Sequence, residues 1–251
     1  MKYLAASAHT VSFIQLLGLL GTIYGLINYE IHSQEILIIL AGYFLYSGLG
    51  VSLTYHRYFT HKSFEFKYQW IKKICMTFAL LAGRGSPIGW VYVHRLHHGF
   101  SDTANDPHDP KRYGWKVFFP HMLHYGETIN KKIIKDLFTR EHVDINKFYL
   151  LFIIVWATIL LLINPYLLVF FYLIPVFLSG LALDLFVFLS HAYGYRNHNT
   201  RDNSKNNWFI SLILWGEGWH NNHHNSPNNY TTQEKWYEVD LLGYIIRLIR
   251  T

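Results

Sequence analysis

The chain has a single cysteine, Cys75, in 251 residues. One thiol excludes an internal disulfide and any four-thiolate iron–sulfur or zinc site built by one copy, so any metal must rest mainly on nitrogen or oxygen. Charge is scarce too: Asp, Glu, Lys and Arg make up 15% of the chain, nearly all of it in two blocks, 56–147 and 191–251. No Gly/Ser-rich linker and no repeated unit marks a second independent unit. One membrane-embedded domain over residues 1–251 is the simplest organisation.

What the blocks leave between them is apolar. Val11 to Tyr29, Glu35 to Tyr55, Phe148 to Asn164 and Tyr166 to Ser190 are nearly free of charge. Their lengths match the roughly 17 to 25 residues a helix needs to cross a bilayer core, which predicts four transmembrane helices. The spans pair as two hairpins, the first closed by Glu30 to Gln34 and the second at Asn164 and Pro165, where proline stops one helix and starts the next. The first span follows one lysine and lacks a small-residue cleavage pattern, so it is expected to be retained rather than removed as a signal peptide.

All 22 Lys and Arg residues lie outside the spans and their short connections: Lys2 before the first, fifteen between Arg57 and Lys147, six between Arg196 and Arg250. Basic residues are retained on the cytoplasmic side of short loops, which places both termini and both polar blocks in the cytosol. The membrane is expected to be the endoplasmic reticulum in a eukaryote or the inner membrane in a bacterium. The formal charge of +6 reports the same bias, and with no aromatic-interleaved basic patch apart from the membrane flanks, no nucleic-acid partner is expected.

Within the first polar block, Trp70 to Leu81 is too short to cross and suits the interface or the underside of a cytosolic cap. Gly83, Gly85 and Pro87 end it, and a second helix is expected from about Ile88 through HRLHH, closed by the turn-rich SDTANDPHDP. The second block has a polar turn from Arg196 to Asn206, an apolar segment from Trp208 to Trp215, then GEGWHNNHH. Its last segment, LLGYIIRLIR, is expected to rest on the membrane as an amphipathic helix or to pack against the cap.

Nine histidines stand at the cytosolic ends of these segments: HRYFTH at 56 to 61, HRLHH at 94 to 98, a lone His191, and HNNHH at 220 to 224. His94, His97 and His98 sit at i, i+3 and i+4, as do His220, His223 and His224, so each trio is expected to project from one helix face toward a shared ion. His56 and His61 are about 140° apart at 3.6 residues per turn, so one is expected past the helix end. A lone buried histidine is more often a hydrogen-bonded core residue than a ligand, but this clustering at one membrane face points to metal. Nine nitrogens exceed a single zinc site and suit two ions, and iron fits imidazole while adding the redox chemistry zinc lacks.

HRYFTH, HRLHH and GEGWHNNHH together resemble the membrane-bound fatty-acyl desaturases, in particular the stearoyl-CoA Δ9 desaturase-like group. The resemblance continues in WVYVHRLHHGFSDTANDPHDP, HAYGYR and NSKNNW, covering most of the chain from His56 to about Ile249. It implies an all-α integral membrane fold of four transmembrane helices and a helical cytosolic cap. The cap would hold a di-iron site ligated by His56, His61, His94, His97, His98, His191, His220, His223 and His224. It further implies insertion of a cis double bond, at Δ9 of a saturated C16 or C18 acyl chain, using dioxygen and two electrons and releasing two waters. The substrate would be an acyl-CoA or an acyl group on another carrier, held in a bent tunnel. With no haem-binding HPGG motif after His224, a separate electron donor such as cytochrome b5 or ferredoxin is expected.

Trp90, Trp115 and Trp219 are candidates for the tunnel wall, with ordinary packing or interface anchoring as the alternative. Asp184, seven residues before His191 and on about the same helix face, is a candidate to orient that ligand, or else a bundle-facing polar residue. Glu217 and Asp106 are placed to accept hydrogen bonds from metal-bound imidazoles, although Glu217 could equally cap a helix. His108, in the DPH element, falls outside the ligand set, and His9, His32, His121, His124, His142 and His198 are expected at the surface or interface. Two departures from the family's animal acyl-CoA members concern metal and carrier. Val187 stands where they have an asparagine that reaches a metal through water, and Tyr92 and Val93 where they have an arginine and aspartate that help hold CoA.

A related di-iron hydroxylase or ketolase would use the same ligands but return oxygen to the lipid. The non-enzyme alternatives, a histidine-rich membrane metal transporter or a bis-histidine cytochrome, would place ligands within the spans rather than beyond one face.

Overall fold

The computed structural model describes residues 2–123 and 130–251, with side chains from residue 8 onward; His124 lies outside them. The order of the main helices is α1 (Lys2–Asn28), α2 (Ser33–Thr60), α3 (Gln69–Leu81), α4 (Pro87–Phe100), α5 (Arg140–Ile163), α6 (Pro165–Leu189), α7 (Trp208–Ile213), α8 (His220–Asn225) and α9 (Leu241–Ile249). Short helical turns fill parts of 110–137, and among the described residues no strand forms, only isolated bridges. The fold is all-helical.

Four helices, α1, α2, α5 and α6, are long and apolar enough to cross a membrane. Their flanks, among them Ile27, Leu37, Leu162 and Ile163, expose apolar side chains, a surface suited to hydrocarbon. Each hairpin has a defined turn. The His32 amide donates to Glu35 at 2.8 Å at the start of α2. Asn164 accepts from the Tyr166 amide at 3.0 Å just ahead of Pro165, which opens α6. The Tyr166 hydroxyl donates to Glu35, tying the two turns together. Small residues set the spacing of α1 on α6, for a methyl at Gly21 would fall 2.6 Å from Leu173 Cδ1.

Three boundaries differ from the sequence expectation. Helix α1 begins at Lys2, nine residues ahead of Val11. Helix α5 starts at Arg140, capped by Thr139, because a polar first turn extends the apolar segment. Helix α2 runs on to Thr60 and winds wide from Phe44, with i to i−5 bonds such as the His61 amide to the His56 carbonyl at 3.2 Å. Threonine side chains follow the same offset: Thr54 donates to the Leu49 carbonyl at 2.7 Å and Thr60 to that of Tyr55 at 2.8 Å. Such winding is rare and concentrates at functional sites.

Helix α3 lies on α2 and buries Cys75, Met76 and Ala79. Gly50 permits the approach, since a Cβ there would sit 2.8 Å from the Phe78 carbonyl. Helix α9 buries Leu242 and Ile246 against Leu53, Phe64 and Phe66 while leaving Leu248 and Tyr244 exposed. Thus it packs on the cap and keeps one apolar flank free. The loop Gly83–Gly85 is gripped from two spans: Tyr55 donates to the Gly85 carbonyl (2.9 Å) and the Gly85 amide to the Tyr149 hydroxyl (3.0 Å). This loop fixes where α4, with Ser86 as its N-cap, departs.

Candidate metal centre

Four pieces of chain deliver the nine histidines to one end of the bundle. The end of α2 carries His56 and His61, α4 carries His94, His97 and His98, the residue beyond α6 is His191, and α8 carries His220, His223 and His224. They gather into two groups whose nitrogens lie within 4.8 Å of one another: His56, His61, His94, His98 and His223 in one, His97, His191, His220 and His224 in the other. Each trio is therefore shared out. Its i and i+4 members go to one group and its i+3 member to the other, which corrects the expectation of one ion per trio. The expectation that one of His56 and His61 lies past the helix end holds, for His61 follows Thr60, and the wide winding of α2 brings it beside His56 with ring centroids 4.8 Å apart.

Whether these groups suit a metal is tested by their nitrogens. The Nε2 atoms of His56 and His223, of His223 and His98, and of His98 and His94 are each 3.1 Å apart, and those of His191 and His220 are 3.0 Å apart. A neutral imidazole has one N–H, and His56 and His191 direct theirs from Nδ1 to carboxylates. Their Nε2 atoms are thus lone pairs facing other nitrogens. Two ligands about 2.1 Å from one ion lie about 3.0 Å apart at a right angle and about 3.4 Å apart at a tetrahedral one. The observed spacings suit nitrogens gathered around one ion. In addition His61 Nε2 and His224 Nε2 are buried without a hydrogen-bond partner.

The surroundings keep six of the nine rings neutral. Burial pushes His61, His94, His98, His220 and His223 well below the usual imidazole range, and neighbouring imidazoles push further. For His224 burial outweighs the opposing pull of Asp202 and brings it to about 4. A neutral imidazole is the form that ligates.

Four of the nine are oriented by carboxylates on Nδ1: His56 by Glu217 at 2.6 Å, His97 by Asp106 at 3.0 Å, His191 by Asp102 at 3.0 Å and His224 by Asp202 at 2.7 Å. Burial alone would raise Asp102, but the bonds from His191 and the Asn203 amide bring it down to about 2. Asp106 also accepts from the Asp102 and His108 amides, at 2.9 and 2.8 Å, folding SDTANDPH around the α4 ligands. Glu217 does not cap a helix. It bridges His56 to Arg57, whose guanidinium also grips both Asp240 oxygens at 2.8 and 3.0 Å.

Sequence reasoning singled out Glu217 and Asp106 but passed over Asp102, Asp202 and Arg57. The signal was faint: a second aspartate in the turn SDTANDPH, one in RDNSK, and an arginine next to a histidine. Asp184 sits elsewhere than expected, since its hydrogen bond is with Arg84 at 2.8 Å and Asp102 serves His191 instead. Two turns of helix separate Asp184 from His191, too far for a side chain so short.

The short helix α8 has its first amides satisfied by a buried asparagine. Asn206 Oδ1 accepts from the Asn221 and Asn222 amides at 2.9 and 3.2 Å, and its amide nitrogen donates to Asn222 Oδ1 at 2.7 Å. Glu238 then accepts from Asn222 and Asn197, both at 2.8 Å. This network holds HNNHH in register although the helix is too short to be stable alone.

An apolar cavity of about 130 Å³ reaches both groups, walled by Val11, Val51, Trp90, Leu183 and Phe186 among others. Trp90 stacks on His94 at 4.8 Å. The other two tryptophans are placed differently: Trp115 is exposed, and Trp219 is buried with its N–H donated to the Val239 carbonyl at 2.9 Å. Neither lines the cavity. Val187 and His108 do; His108 is pushed down to about 3 by burial and by His97. The charged pair Arg84–Asp184 also borders it. Tyr92 is buried, its hydroxyl accepting from the Asn130 amide at 3.2 Å. Of the remaining histidines, His9, His32 and His121 are exposed and His142 and His198 half-buried.

Comparison with known proteins agrees with this geometry. Residues 35–247 match the family model described as fatty acid desaturase. The sn-1 stearoyl-lipid 9-desaturase of Anabaena variabilis is 29% identical, over 96% of this chain and 90% of that one. The Delta-9 acyl-lipid desaturase 2 of Arabidopsis thaliana is 33% identical over 82% of this chain and 68% of its own length. The sn-2 palmitoyl-lipid 9-desaturase of Nostoc sp. (strain 36) is 31% identical over 83% and 76%.

Proposed function

Because the chain belongs to the fatty acid desaturase family, we propose that it is a di-iron oxidoreductase. It introduces a cis double bond at Δ9 of a C16 or C18 acyl chain esterified to a membrane lipid. The observation that carries this reading is the pair of imidazole groups at the end of an apolar cavity between the spans. A cavity with such walls accepts hydrocarbon and excludes water. The lipid carrier follows from the relatives, whose names specify stearoyl-lipid, acyl-lipid and palmitoyl-lipid substrates. The uncharged Tyr92, buried, and Val93, half-buried, in place of a CoA-holding arginine and aspartate, support it.

The five-histidine group would hold one iron and the four-histidine group the other. When bound, the pair would supply the two-electron oxidising capacity, drawn from dioxygen, that removal of two hydrogens from adjacent methylenes requires. The protein's own contribution is positional. Carboxylates fix the ring orientation of His56, His97, His191 and His224, and burial keeps His61, His94, His98, His220, His223 and His224 in the neutral, ligating form. Trp90 and Phe186 form the wall against which an acyl chain lies. The electrons would come from a separate donor such as cytochrome b5 or ferredoxin. Residues 1–251 would act as one membrane-embedded domain, with the metal centre and both termini on the cytosolic side, in keeping with the placement of Lys and Arg.

Expression in a desaturase-deficient host, with the double bond located by mass spectrometry of the lipids, tests this. The wild-type chain is expected to restore Δ9 unsaturation, while His97→Ala and His223→Ala, one from each group, abolish it. Unsaturation retained in both variants, or a hydroxylated or keto lipid as the main product, overturns the reading.

A further inference from the structure

The two histidine groups differ in the charge behind them. Among the described residues, one ring of the five-histidine group, His56, is backed by a carboxylate, and that carboxylate, Glu217, is bound by Arg57 at 2.9 Å. In the four-histidine group, three rings of four are backed: His97 by Asp106, His191 by Asp102 and His224 by Asp202. Among the described residues none of those three carboxylates is paired with a lysine or arginine. Their other partners are hydroxyls and backbone amides, such as those of Asn203 at 2.6 Å, His108 at 2.8 Å and Ser204 at 3.0 Å. These ligate the oxygens without cancelling the charge.

A carboxylate on the far nitrogen of an imidazole makes the ring a stronger electron donor and places a full negative charge one ring away from the ion. Buried charges are poorly screened, so their effect persists across that distance. The four-histidine group therefore presents three anions with no paired cation, whereas the five-histidine group presents one whose cation, Arg57, is shared with Asp240, leaving a net charge of −1 behind it. The fifth imidazole of the latter adds a neutral donor but no charge. Val187 beside the four-histidine group offers no polar atom that would offset the difference.

We infer that the two irons are inequivalent: the four-histidine site stabilises Fe3+, and the five-histidine site is the first to be reduced. This rests on the di-iron reading above. A single electron added to the diferric pair converts one Fe3+ to Fe2+, with no bond made or broken among protein atoms. The reductant in the test is dithionite, itself oxidised to sulfite. The electron resides on the ion held by His56, His61, His94, His98 and His223.

The test uses the full chain in detergent, loaded with isotopically enriched iron and titrated with dithionite while Mössbauer spectra and potential are recorded. Wild-type protein is expected to reduce in two separate one-electron steps, the half-reduced sample showing equal, localised ferric and ferrous signals. Asp106→Asn removes a charge from the four-histidine group while keeping an oxygen for His97. It should raise the second potential and leave the first in place. A tenfold change in the ratio of ferric to ferrous affinity corresponds to about 59 mV for one electron, and a shift of at least that size is expected. Glu217→Gln should move the first step instead.

Asp202→Asn acts on a different ligand of the same ion and must reproduce the Asp106→Asn result, which guards against a folding defect in either variant. Coincident steps, the reverse assignment, or unmoved potentials in both aspartate variants that still hold two irons overturn the inference. Wild-type protein that binds no redox-active pair would instead defeat the di-iron reading itself.

Discussion

Arg57 is where one substitution should propagate furthest. Its side chain is 2% exposed and donates to Glu217, to both oxygens of Asp240 and to the Tyr230 carbonyl at 3.0 Å. Arg57→Met keeps most of the stem volume and deletes the charge. Two buried carboxylates, Glu217 and Asp240, then share a site without a cation. Breaking a buried pair by removing one partner costs about 3 to 5 kcal/mol, and losing the partner of two carboxylates puts this change toward the upper end. At about 1.4 kcal/mol per decade, that lowers the folded-to-unfolded ratio by roughly two to three and a half orders of magnitude. Burial on its own would raise the Glu217 carboxyl, and the charge of Arg57, aided by His56, holds it below the ordinary value. Without Arg57 the carboxyl gains a proton more readily and His56 loses its anionic partner. Denaturant unfolding of metal-free protein in detergent micelles measures the first effect, and iron content after dialysis against a chelator measures the second. A loss of stability below about 1 kcal/mol, with iron retained as in wild type, would refute the claim that two buried acids depend on this one guanidinium.

Two further expectations follow from buried charge. The metal-free protein should lose stability as pH falls from about 6.5 toward about 4, read as a falling thermal midpoint: His224 titrates at 6.5 when unfolded but near 4 when folded, so the unfolded chain holds more protons in that window and stability rises with pH across it. A midpoint flat between those pH values would contradict it. For Arg84 and Asp184, 11% and 9% exposed, Arg84→Met or Asp184→Leu alone should cost about 3 to 5 kcal/mol. The double variant should lie within about 1 kcal/mol of wild type or above it, since an apolar pair needs no compensation; equal losses in single and double variants would show that the pair does not act as a unit.

The four spans were readable because an apolar run long enough to cross a bilayer seldom occurs in a chain that does not cross one. The helices through Trp70–Leu81, HRLHH and LLGYIIRLIR were readable from punctuation and periodicity, and α3 and α9 settled between the alternatives once packing decided their faces. The fatty acid desaturase family was legible in the histidine motifs. What escaped was anything dependent on departures from ideal winding or on contacts across the chain. A period of 3.6 residues puts His56 and His61 on different faces, whereas the wide turn of α2 brings them together. The same period correctly groups each trio on one face. It cannot say that the i+3 member leans toward a different group from its neighbours, His97 toward that of His191 and His223 toward that of His56 and His61. Asp102 and Asp202 looked like ordinary turn residues because the rings they hold, His191 and His224, lie elsewhere in sequence. Asp184 was placed by helical phase alone, which ignored that a carboxylate within a span seeks the nearest cation, Arg84.

Surface turns ordinarily tolerate insertions and deletions better than any other part of a fold. The turns that contain Asp102, Asp106 and Asp202 reverse that rule. Each ends in an atom that must arrive behind a particular ring, so a residue added to or removed from either segment would swing a carboxylate away from its imidazole while leaving every histidine in place. The length of these two turns is therefore as much a part of the site as the ligands themselves.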